Sequence, residues 1–401
     1  MVGVAVVGCG NVATFYLNAL PLHPELDLVG IFDRDETRAS RFSTYYSVTA
    51  YRSFSELLGD RRVKLVINLT SPRSHFCVSK QSLEANKHVY SEKPLSMSFR
   101  EAEQLVELAE QNGLLLAAAP SRVLAETAQT FWKALREGVV GKALLAYAEM
   151  DGGLIHRVQY TKWFNELDIP WPYKDEFEVG CTLEHAGYSV SWLTAFFGPV
   201  DSVTAFSSCQ VPDKKTEAPL DPNPPDFSVG CLKFASGMVA RVTSSWIAPA
   251  DHSLRVFGDR GVLCTDDIWR PCAPVYVKRN LQIGRWTVVT PWNNRYGMAR
   301  SPRPAAHGTV RRKLYRRGGI IQAWTRSLKA RARHLRKRVD FCLGPAELAS
   351  SIVQGRPCRL SARYCLHNTE IILAIQNALD TGSPRKVTTS FDPLEPMPWA
   401  I

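Results

Sequence analysis

Two short segments of the chain carry side chains suited to proton transfer. Lys93 lies in the tripeptide Glu92-Lys93-Pro94, and Glu184 and Tyr188 are four residues apart in a run with helical spacing. Residues four apart lie on one face of a helix. A ketone that accepts a hydride becomes an alkoxide, which a nearby ammonium group or proton donor stabilises. Lys93, Glu184 and Tyr188 are therefore predicted to be catalytic residues that handle the proton of a hydroxyl or ketone.

A glycine turn near the start of the chain predicts a dinucleotide site. The run Gly8-Cys9-Gly10-Asn11-Val12-Ala13 follows an apolar stretch and opens a predicted helix, which is the context this motif requires. Gly8 allows the tight turn, and Gly10 lets the pyrophosphate approach the backbone. Asp33 ends the next predicted strand, where an acid would bind the ribose hydroxyls. Its charge favours NAD over NADP, although Arg34 could pair with a 2′-phosphate.

This chemistry sets expectations for the pKa values of the catalytic groups. Partial burial beside a nicotinamide ring is expected to lower the pKa of Lys93 toward the working range. The Lys93 ammonium is in turn expected to favour the phenolate of Tyr188. His185 directly follows Glu184 and should point about 100° away from it on a helix. Three alternatives stay open: Tyr188 transfers the proton, His185 has taken over that role, or neither is catalytic.

The elements that position these residues begin with alternating strands and helices, which predict a doubly wound parallel α/β sheet of Rossmann type. The predicted strands are 2–7, 28–32, 63–69, 88–90 and 114–119, and the predicted helices are 12–20, 74–84 and 99–112. The pattern then changes to β-rich runs typical of an open, mostly antiparallel sheet. These runs are 143–150, 203–207, 227–234, 238–246 and 254–257, with helices near 125–137, 181–196, 345–354 and 362–379.

The chain is thus predicted to have two domains and one insertion. Residues 1–120 form the dinucleotide-binding domain, residues 121–300 with 339–390 form an α+β substrate and oligomerisation domain, and residues 301–338 are a basic insertion. A length of 401 residues agrees with two domains. No apolar run is long enough to span a membrane, and no signal peptide is recognised, so a cytoplasmic location is expected. The ten cysteines show no zinc-ligand spacing, so no metal site is expected.

The basic insertion carries the positive charge of the chain. It contains 13 Lys and Arg and no Asp or Glu, so the other residues would have a net charge of −2 (11 minus 13). From Ile320 onward its apolar residues fall near one helical face, which predicts a basic amphipathic helix suited to an anionic membrane surface or an acidic partner. A solvated insertion is the alternative. Nucleic acid is not an expected partner, because no binding module accompanies the charges.

The chain resembles the Gfo/Idh/MocA family of two-domain dehydrogenases, named after glucose–fructose oxidoreductase, inositol dehydrogenase and MocA. The resemblance covers nearly all of the chain except residues of about 280–338. Four features carry it: the glycine turn, Thr70-x-Pro72-x-x-His75, Glu92-Lys93-Pro94, and the cluster from Gly180 to Tyr188.

This resemblance implies roles for individual residues. Asn11 and Val12 belong to the cofactor-binding turn. Thr70 and Pro72 would border the nicotinamide, and His75 would begin the next helix. Glu92 would lie along the cofactor, and Lys93 would reach the substrate hydroxyl, with the Lys93–Pro94 peptide expected in cis. The resemblance also implies a homo-oligomer.

The second cluster departs from the family pattern. The common form has Asp and His four residues apart, where this chain has Glu184 and Tyr188. Some ketoreductases of the family that act on nucleotide-linked sugars use a tyrosine there. Further residues that correspond to the lining of the substrate site, or that lie just before the Glu184 helix, are predicted substrate contacts: Arg122, Trp163, Tyr173, Lys174 and His185.

These observations predict an oxidoreductase that moves a hydride between NAD, or NADP, and a sugar, nucleotide-linked sugar or cyclitol. One alternative is a redox glycosidase that oxidises and re-reduces its substrate with bound NAD. Another is a non-catalytic nucleotide-sensing regulator on the same fold, against which the retained Glu92-Lys93-Pro94 argues.

Overall fold

The computed structural model of the chain describes residues 1–217, 219–220, 223–290, 294–301, 339–378 and 384–401. The basic amphipathic helix predicted from Ile320 onward lies outside these residues. Within the described ranges, no helix has both the length and the hydropathy needed to cross a bilayer.

The first sheet has five parallel strands in the order β2-β1-β3-β4-β5. Its strands are β1 (Val2–Val7), β2 (Leu26–Phe32), β3 (Leu65–Asn68), β4 (His88–Ser91) and β5 (Leu116–Ala118). The central strands are almost wholly buried, because helices cover both faces of the sheet. This arrangement confirms the predicted doubly wound sheet.

Five helices connect these strands: α1 (Ala13–Ala19), α2 (Glu36–Tyr46), α3 (Phe54–Gly59), α4 (His75–Glu84) and α5 (Phe99–Gln111). Helices α2 and α3 were not predicted from the sequence. Both carry N-terminal capping residues, because the side chain of Asp35 accepts from the Arg38 N–H and that of Ser53 accepts from the Glu56 N–H.

The second sheet follows the order β13-β12-β11-β10-β6-β9-β8-β7-β15, and β14 also pairs with β12. Its strands are β6 (Ala143–Asp151), β7 (Val200–Ser208), β8 (Phe227–Phe234), β9 (Val239–Ser245), β10 (Leu254–Gly258), β11 (Gly261–Thr265), β12 (Val275–Ile283), β13 (Trp286–Val289), β14 (Asn294–Arg295) and β15 (Arg385–Lys386). Only the β6–β9 pair among these is parallel, with Leu145 opposite Val239. The prediction of a mostly antiparallel sheet is confirmed, although β11 to β15 were not predicted.

The other α-helices in the described part of the chain are α6 (Glu126–Arg136), α7 (Tyr173–Val179), α8 (Gly187–Phe197), α9 (Leu343–Gln354) and α10 (Ala362–Gln376). Helix α8 is buried, and its Trp192 is fully enclosed. Helix α10 packs against both α5 and β7 and so joins the two domains. Helix α9 packs on strands of the first sheet, which differs from the predicted division that gave it to the second domain.

Candidate active site

A cleft of about 980 Å³ lies between the carboxyl ends of the first sheet's strands and the second domain. It reaches from the glycine turn to the Lys93 side chain and brings together residues as far apart in the chain as Val7 and Phe341. All predicted site residues except three line it: Gly8, Gly10, Asn11, Val12, Asp33, Arg34, Thr70, Pro72, His75, Glu92, Lys93, Trp163, Glu184, His185 and Tyr188.

The glycine turn has the shape that a dinucleotide requires. Gly8 adopts φ +97°, and a Cβ added there would lie 2.7 Å from the backbone of Leu69. A Cβ on Gly10 would meet no atom within 4 Å, so the turn is open toward the cleft. The Asn11 side chain donates to the carbonyl of Ile169 across the cleft (3.0 Å). The turn and the space beside it therefore fit the phosphates of NAD or NADP.

Asp33 holds the glycine turn in place as well as lining the cleft. Its buried carboxylate accepts from the backbone N–H of Cys9 (2.7 Å) and from that of Asp35 (2.8 Å). The guanidinium of Arg38 lies 3.9 Å from the same carboxylate. Arg34 and Arg38 both line this end of the cleft. One acid and two basic side chains thus surround the predicted position of the ribose.

His75 connects the two loops on which the nicotinamide end of the site depends. Its Nδ1 lies 2.7 Å from the carbonyl of Pro94, and its Nε2 lies 2.9 Å from the carbonyl of Thr70. Burial lowers the pKa of His75, and the two carbonyl oxygens act in the opposite direction. A neutral ring has one N–H and can donate to only one of these two carbonyls. The Lys93–Pro94 peptide is cis, as predicted. Because His75 lies between the carbonyls of Thr70 and Pro94, it holds the Thr70 loop and the Lys93 loop at a fixed separation.

Glu92 supports the backbone of Lys93. One of its carboxylate oxygens accepts from the hydroxyl of Tyr16 (2.6 Å), and the other accepts from the Lys93 N–H (2.9 Å). Both oxygens are engaged within the protein, so Glu92 acts here by fixing the loop that presents the lysine.

Lys93 forms a buried ion pair with Glu184, whose side chain is 1% exposed. Burial acts to lower the pKa of Lys93, but nearby acidic groups, foremost Glu184 and Glu176, outweigh it and raise the pKa well above its usual value. The expectation that burial would lower this pKa toward neutrality was wrong, because the sequence did not show how many acidic groups surround the ammonium. Lys93 is therefore a protonated, cationic donor at neutral pH.

Tyr188 lines the cleft on the same side as Lys93 and stacks on Trp269, with ring centroids 4.8 Å apart. Burial raises the pKa of Tyr188 to about 12, even though the Lys93 charge acts to lower it. The expected phenolate is therefore not favoured. The tyrosine is a neutral phenol that can donate a proton.

His185 does not point away from the site, contrary to the expectation from a regular helix. Residues Thr182–Ala186 form a turn of π-helix, which changes the angular spacing of successive side chains. Glu184, His185 and Tyr188 consequently all line the cleft. A π-helical turn of this kind cannot be read from residue spacing alone.

The tautomer of His185 is fixed by Trp246. The indole Nε1–H, which can only donate, lies 3.2 Å from His185 Nδ1, so this nitrogen accepts and the ring proton is on Nε2. Burial lowers the pKa of His185 to about 3, and the charge of Lys93 contributes. His185 is thus suited to donate a hydrogen bond and unsuited to act as a general base.

The structure does not place Arg122, Tyr173 or Lys174 at the cleft. Arg122 is buried, with its guanidinium 5.0 Å from the centre of the Phe341 ring. The hydroxyl of Tyr173 and the ammonium of Lys174 instead both point to Glu217 at the surface, at 3.4 and 2.8 Å.

Trp171 packs against Trp163 at 5.1 Å and forms an aromatic rim with it. Cleft residues that were not predicted include Asp175, Glu176, His252, Asp267, Trp269 and Arg270. Glu176 belongs to α7, which ends at Val179, and Gly180 with φ +89° separates it from the turn that carries Glu184. His252, Asp267, Trp269 and Arg270 lie outside the strands, in the segments that flank β10 and β11.

Comparisons with known proteins agree with this geometry. Residues 2–119 match the oxidoreductase family with an NAD-binding Rossmann fold, and residues 128–264 match the Gfo/Idh/MocA C-terminal domain. Myo-inositol 2-dehydrogenase of Thermotoga maritima is 24% identical over 271 residues, covering 66% of this chain and 75% of that protein. The matched stretches span 53% to 75% of the length of five curated relatives.

Two solved structures share the fold over nearly their whole length. The WlbA dehydrogenase of Bordetella pertussis, in complex with NADH and UDP-GlcNAcA, has a TM-score of 0.68 and 16% identity, covering 96% of this chain and 98% of that one. The 3-ketoreductase KijD10 of Actinomadura kijaniata, in complex with TDP-benzene and NADP, has a TM-score of 0.66 and 17% identity, covering 94% and 98%. At these identities the likeness shows the fold alone.

Proposed function

Because the chain belongs to the Gfo/Idh/MocA family of NAD-binding oxidoreductases, we propose that it transfers a hydride between NAD(P) and a hydroxyl- or ketone-bearing carbon of a sugar-type substrate. The observation that carries this proposal is the single cleft that joins the open glycine turn to the paired Lys93 and the phenol of Tyr188. When bound, the nicotinamide supplies or accepts the hydride.

The protonation states favour reduction of a ketone. The Lys93 ammonium stabilises the negative charge that develops on the substrate oxygen, and a protonated group next to that oxygen completes the alcohol. Both Lys93 and Tyr188 carry their protons at neutral pH, since the pKa of each is raised. His185 is placed to donate a hydrogen bond through Nε2. In the reverse direction Lys93 or Tyr188 would first have to lose its proton, and that group would then take up the hydroxyl proton.

A nucleotide-linked sugar is the substrate class we propose. The rim formed by Trp163 and Trp171 offers flat apolar faces for the C–H face of a sugar or for a base. Arg270 lines the cleft and pairs with Asp267 (3.0 Å), and its guanidinium offers a charge for a phosphate or carboxylate. The nucleotide-type ligands held by the WlbA and KijD10 proteins support this choice for the present chain.

The test is turnover of a panel of nucleotide-linked hexoses, their keto forms, free aldoses and inositols with each cofactor. The matched control is Lys93→Met, which should abolish turnover and leave cofactor affinity within a few-fold, because the lysine acts on the transition state. Substrate cleavage without net NADH would indicate the redox glycosidase instead. Cofactor binding with no turnover on any substrate would indicate the regulator, and near-normal kcat in Lys93→Met would refute the role of the lysine.

We also propose that the chain forms a homo-oligomer through the open face of the second sheet. That face is solvent-exposed and includes Phe206, which is 54% exposed and contacts Phe227. An exposed aromatic pair on an open sheet fits a protein–protein contact. Light scattering coupled to size-exclusion chromatography should give a multiple of 44.8 kDa, and Phe206→Asp should reduce it.

We further propose that the chain associates with an anionic membrane surface, and the exposed β12–β13 hairpin supports this proposal. Its cross-strand pairs Leu281–Val288 and Ile283–Trp286 lie on one face, and Trp286 is 66% exposed. The hairpin precedes the segment 301–338 with its 13 basic residues, each worth about 1 kcal/mol near an anionic bilayer. Binding to phosphatidylserine vesicles should be salt-sensitive and lost on deleting 301–338, while cofactor binding survives. Absence of co-sedimentation at low salt would refute it.

A further inference from the structure

A loop of the second domain, residues 163–171, lies against the glycine turn of the first domain. The Asn11 side chain donates to the carbonyl of Ile169 (3.0 Å), and the Asn165 amide donates to the carbonyl of Asn11 (3.4 Å). Ile169 lines the same cleft as Gly10. A dinucleotide seated on Gly10 would therefore have the glycine turn on one side and the 163–171 loop on the other.

The 163–171 loop is held in shape by its own hydrogen bonds. The Asn165 Oδ1 accepts from the N–H of Leu167 and from that of Ile169, both at 3.0 Å. The Asn165 N–H donates to the carbonyl of Ile169 (3.0 Å), and the Trp171 N–H donates to that of Trp163 (2.8 Å). Because these bonds are internal, the loop can keep its shape when its contacts with the first domain break.

Glu166 fastens the tip of this loop to the first domain. Its Oε1 accepts from the Nδ2 of Asn18 (2.6 Å) and from the hydroxyl of Tyr46 (3.2 Å). Asn18 belongs to α1, which follows the glycine turn, and Tyr46 is the last residue of α2. Glu166 and Asn18 are exposed, so water competes for these bonds and they can open and re-form. The cleft lining that the described residues form does not include these three side chains.

We propose that the 163–171 loop is a clasp over the cofactor site, and that the Glu166 hydrogen bonds hold it closed. This inference rests on the proposed function, because it takes NAD(P) to bind at the glycine turn. The closed clasp encloses the dinucleotide between Gly10 and Ile169. Breaking the Glu166 bonds frees the loop from the first domain, so clasp opening sets the rate at which the cofactor enters and leaves. Glu166 is a positioning residue, since it acts through the loop.

The clasp is tested by stopped-flow fluorescence with NADH, which gives the association rate constant and, after displacement by excess NAD, the dissociation rate constant. Glu166→Ala should raise both rate constants by about 5- to 25-fold, since each lost hydrogen bond is worth about a factor of 5. The Kd should change much less, because the two rates rise together. Glu166→Gln is the matched control: it keeps the Oε1 acceptor and should stay close to wild type.

Unchanged rates in Glu166→Ala would overturn the clasp, and so would an equal rise in both Glu166 variants. A faster dissociation with an unchanged association rate would show an ordinary loss of affinity and would also overturn it. Asn18→Ala should raise the rates in the wild type and add little in Glu166→Ala, because it removes the same contact. If the wild type binds neither NADH nor NADPH, the proposed function fails together with the clasp. If it binds and the variants match it, only the clasp fails.

Discussion

Replacement of Asp33 by asparagine would test how the chain selects its cofactor. The Asp33 carboxylate accepts backbone hydrogen bonds from Cys9 and Asp35 and lies 3.9 Å from the Arg38 guanidinium. Asparagine keeps a side-chain oxygen that can accept from the Cys9 N–H, but it removes the negative charge. The substitution therefore separates the repulsion of a 2′-phosphate from the support of the glycine turn.

The expected magnitude follows from the charges around this position. Two unit charges 4 Å apart interact by about 4 kcal/mol at an effective dielectric constant of about 20. A 2′-phosphate bound at Asp33 would meet this repulsion, and the Arg38 guanidinium beside the carboxylate would offset roughly half of it. About 2 kcal/mol remains, which corresponds to a factor of roughly 30 in the ratio of the two Kd values.

The assay is a fluorescence titration of each variant with NADH and with NADPH. Wild type should bind NADH more tightly, and Asp33→Asn should shift the ratio about 30-fold toward NADPH. Asp33→Ser also loses both backbone hydrogen bonds, each worth about 1.5–3 kcal/mol, so its Tm should fall more than that of the asparagine variant. Equal wild-type affinities, or an unchanged ratio in Asp33→Asn, would refute the repulsion argument. Failure to bind either cofactor would refute the site.

Tyr188→Phe should lower kcat by about 10²–10⁴-fold if the phenol transfers the proton, and steady-state kinetics would measure it. His185→Ala should lower kcat less than Tyr188→Phe does. It should also leave the pH profile of kcat unchanged near neutrality, because the wild-type ring has a pKa of about 3 and does not titrate there. If His185→Ala lowered kcat more than Tyr188→Phe, the role would belong to His185. A stability test concerns His23: burial opposes its charge, but hydrogen bonds to Asp340 and Glu25 raise the pKa of His23 from 6.5 to about 9. His23→Gln should lower the free energy of unfolding by up to about 3 kcal/mol below pH 6.5, and by progressively less as pH rises through about 9. Denaturant unfolding at several pH values would measure this loss. A loss that does not depend on pH would contradict the raised pKa of His23.

Much of the fold was predictable because its elements carry local signals. Strand β8 was predicted with its observed bounds, and the apolar runs of β1 and β4 were recognised because buried parallel strands are continuously hydrophobic. Helix α2 was missed because it buries only Ala39 and Phe42, so its apolar pattern is weak. Strand β12 was missed because its second half is mostly exposed. Elements with little burial leave little periodicity to detect.

The sequence by itself determined that Gly8, Asp33, Lys93 and Tyr188 would meet in one cleft, because each lies in a motif at the end of a recognisable element. Only the tertiary structure decided their chemical states. The charge of Lys93 depends on Glu176 and Glu184, which are 83 and 91 positions away in the chain, and on how deeply all three are buried. Electrostatic interaction follows distance and burial in three dimensions, so residue spacing along the chain cannot specify it.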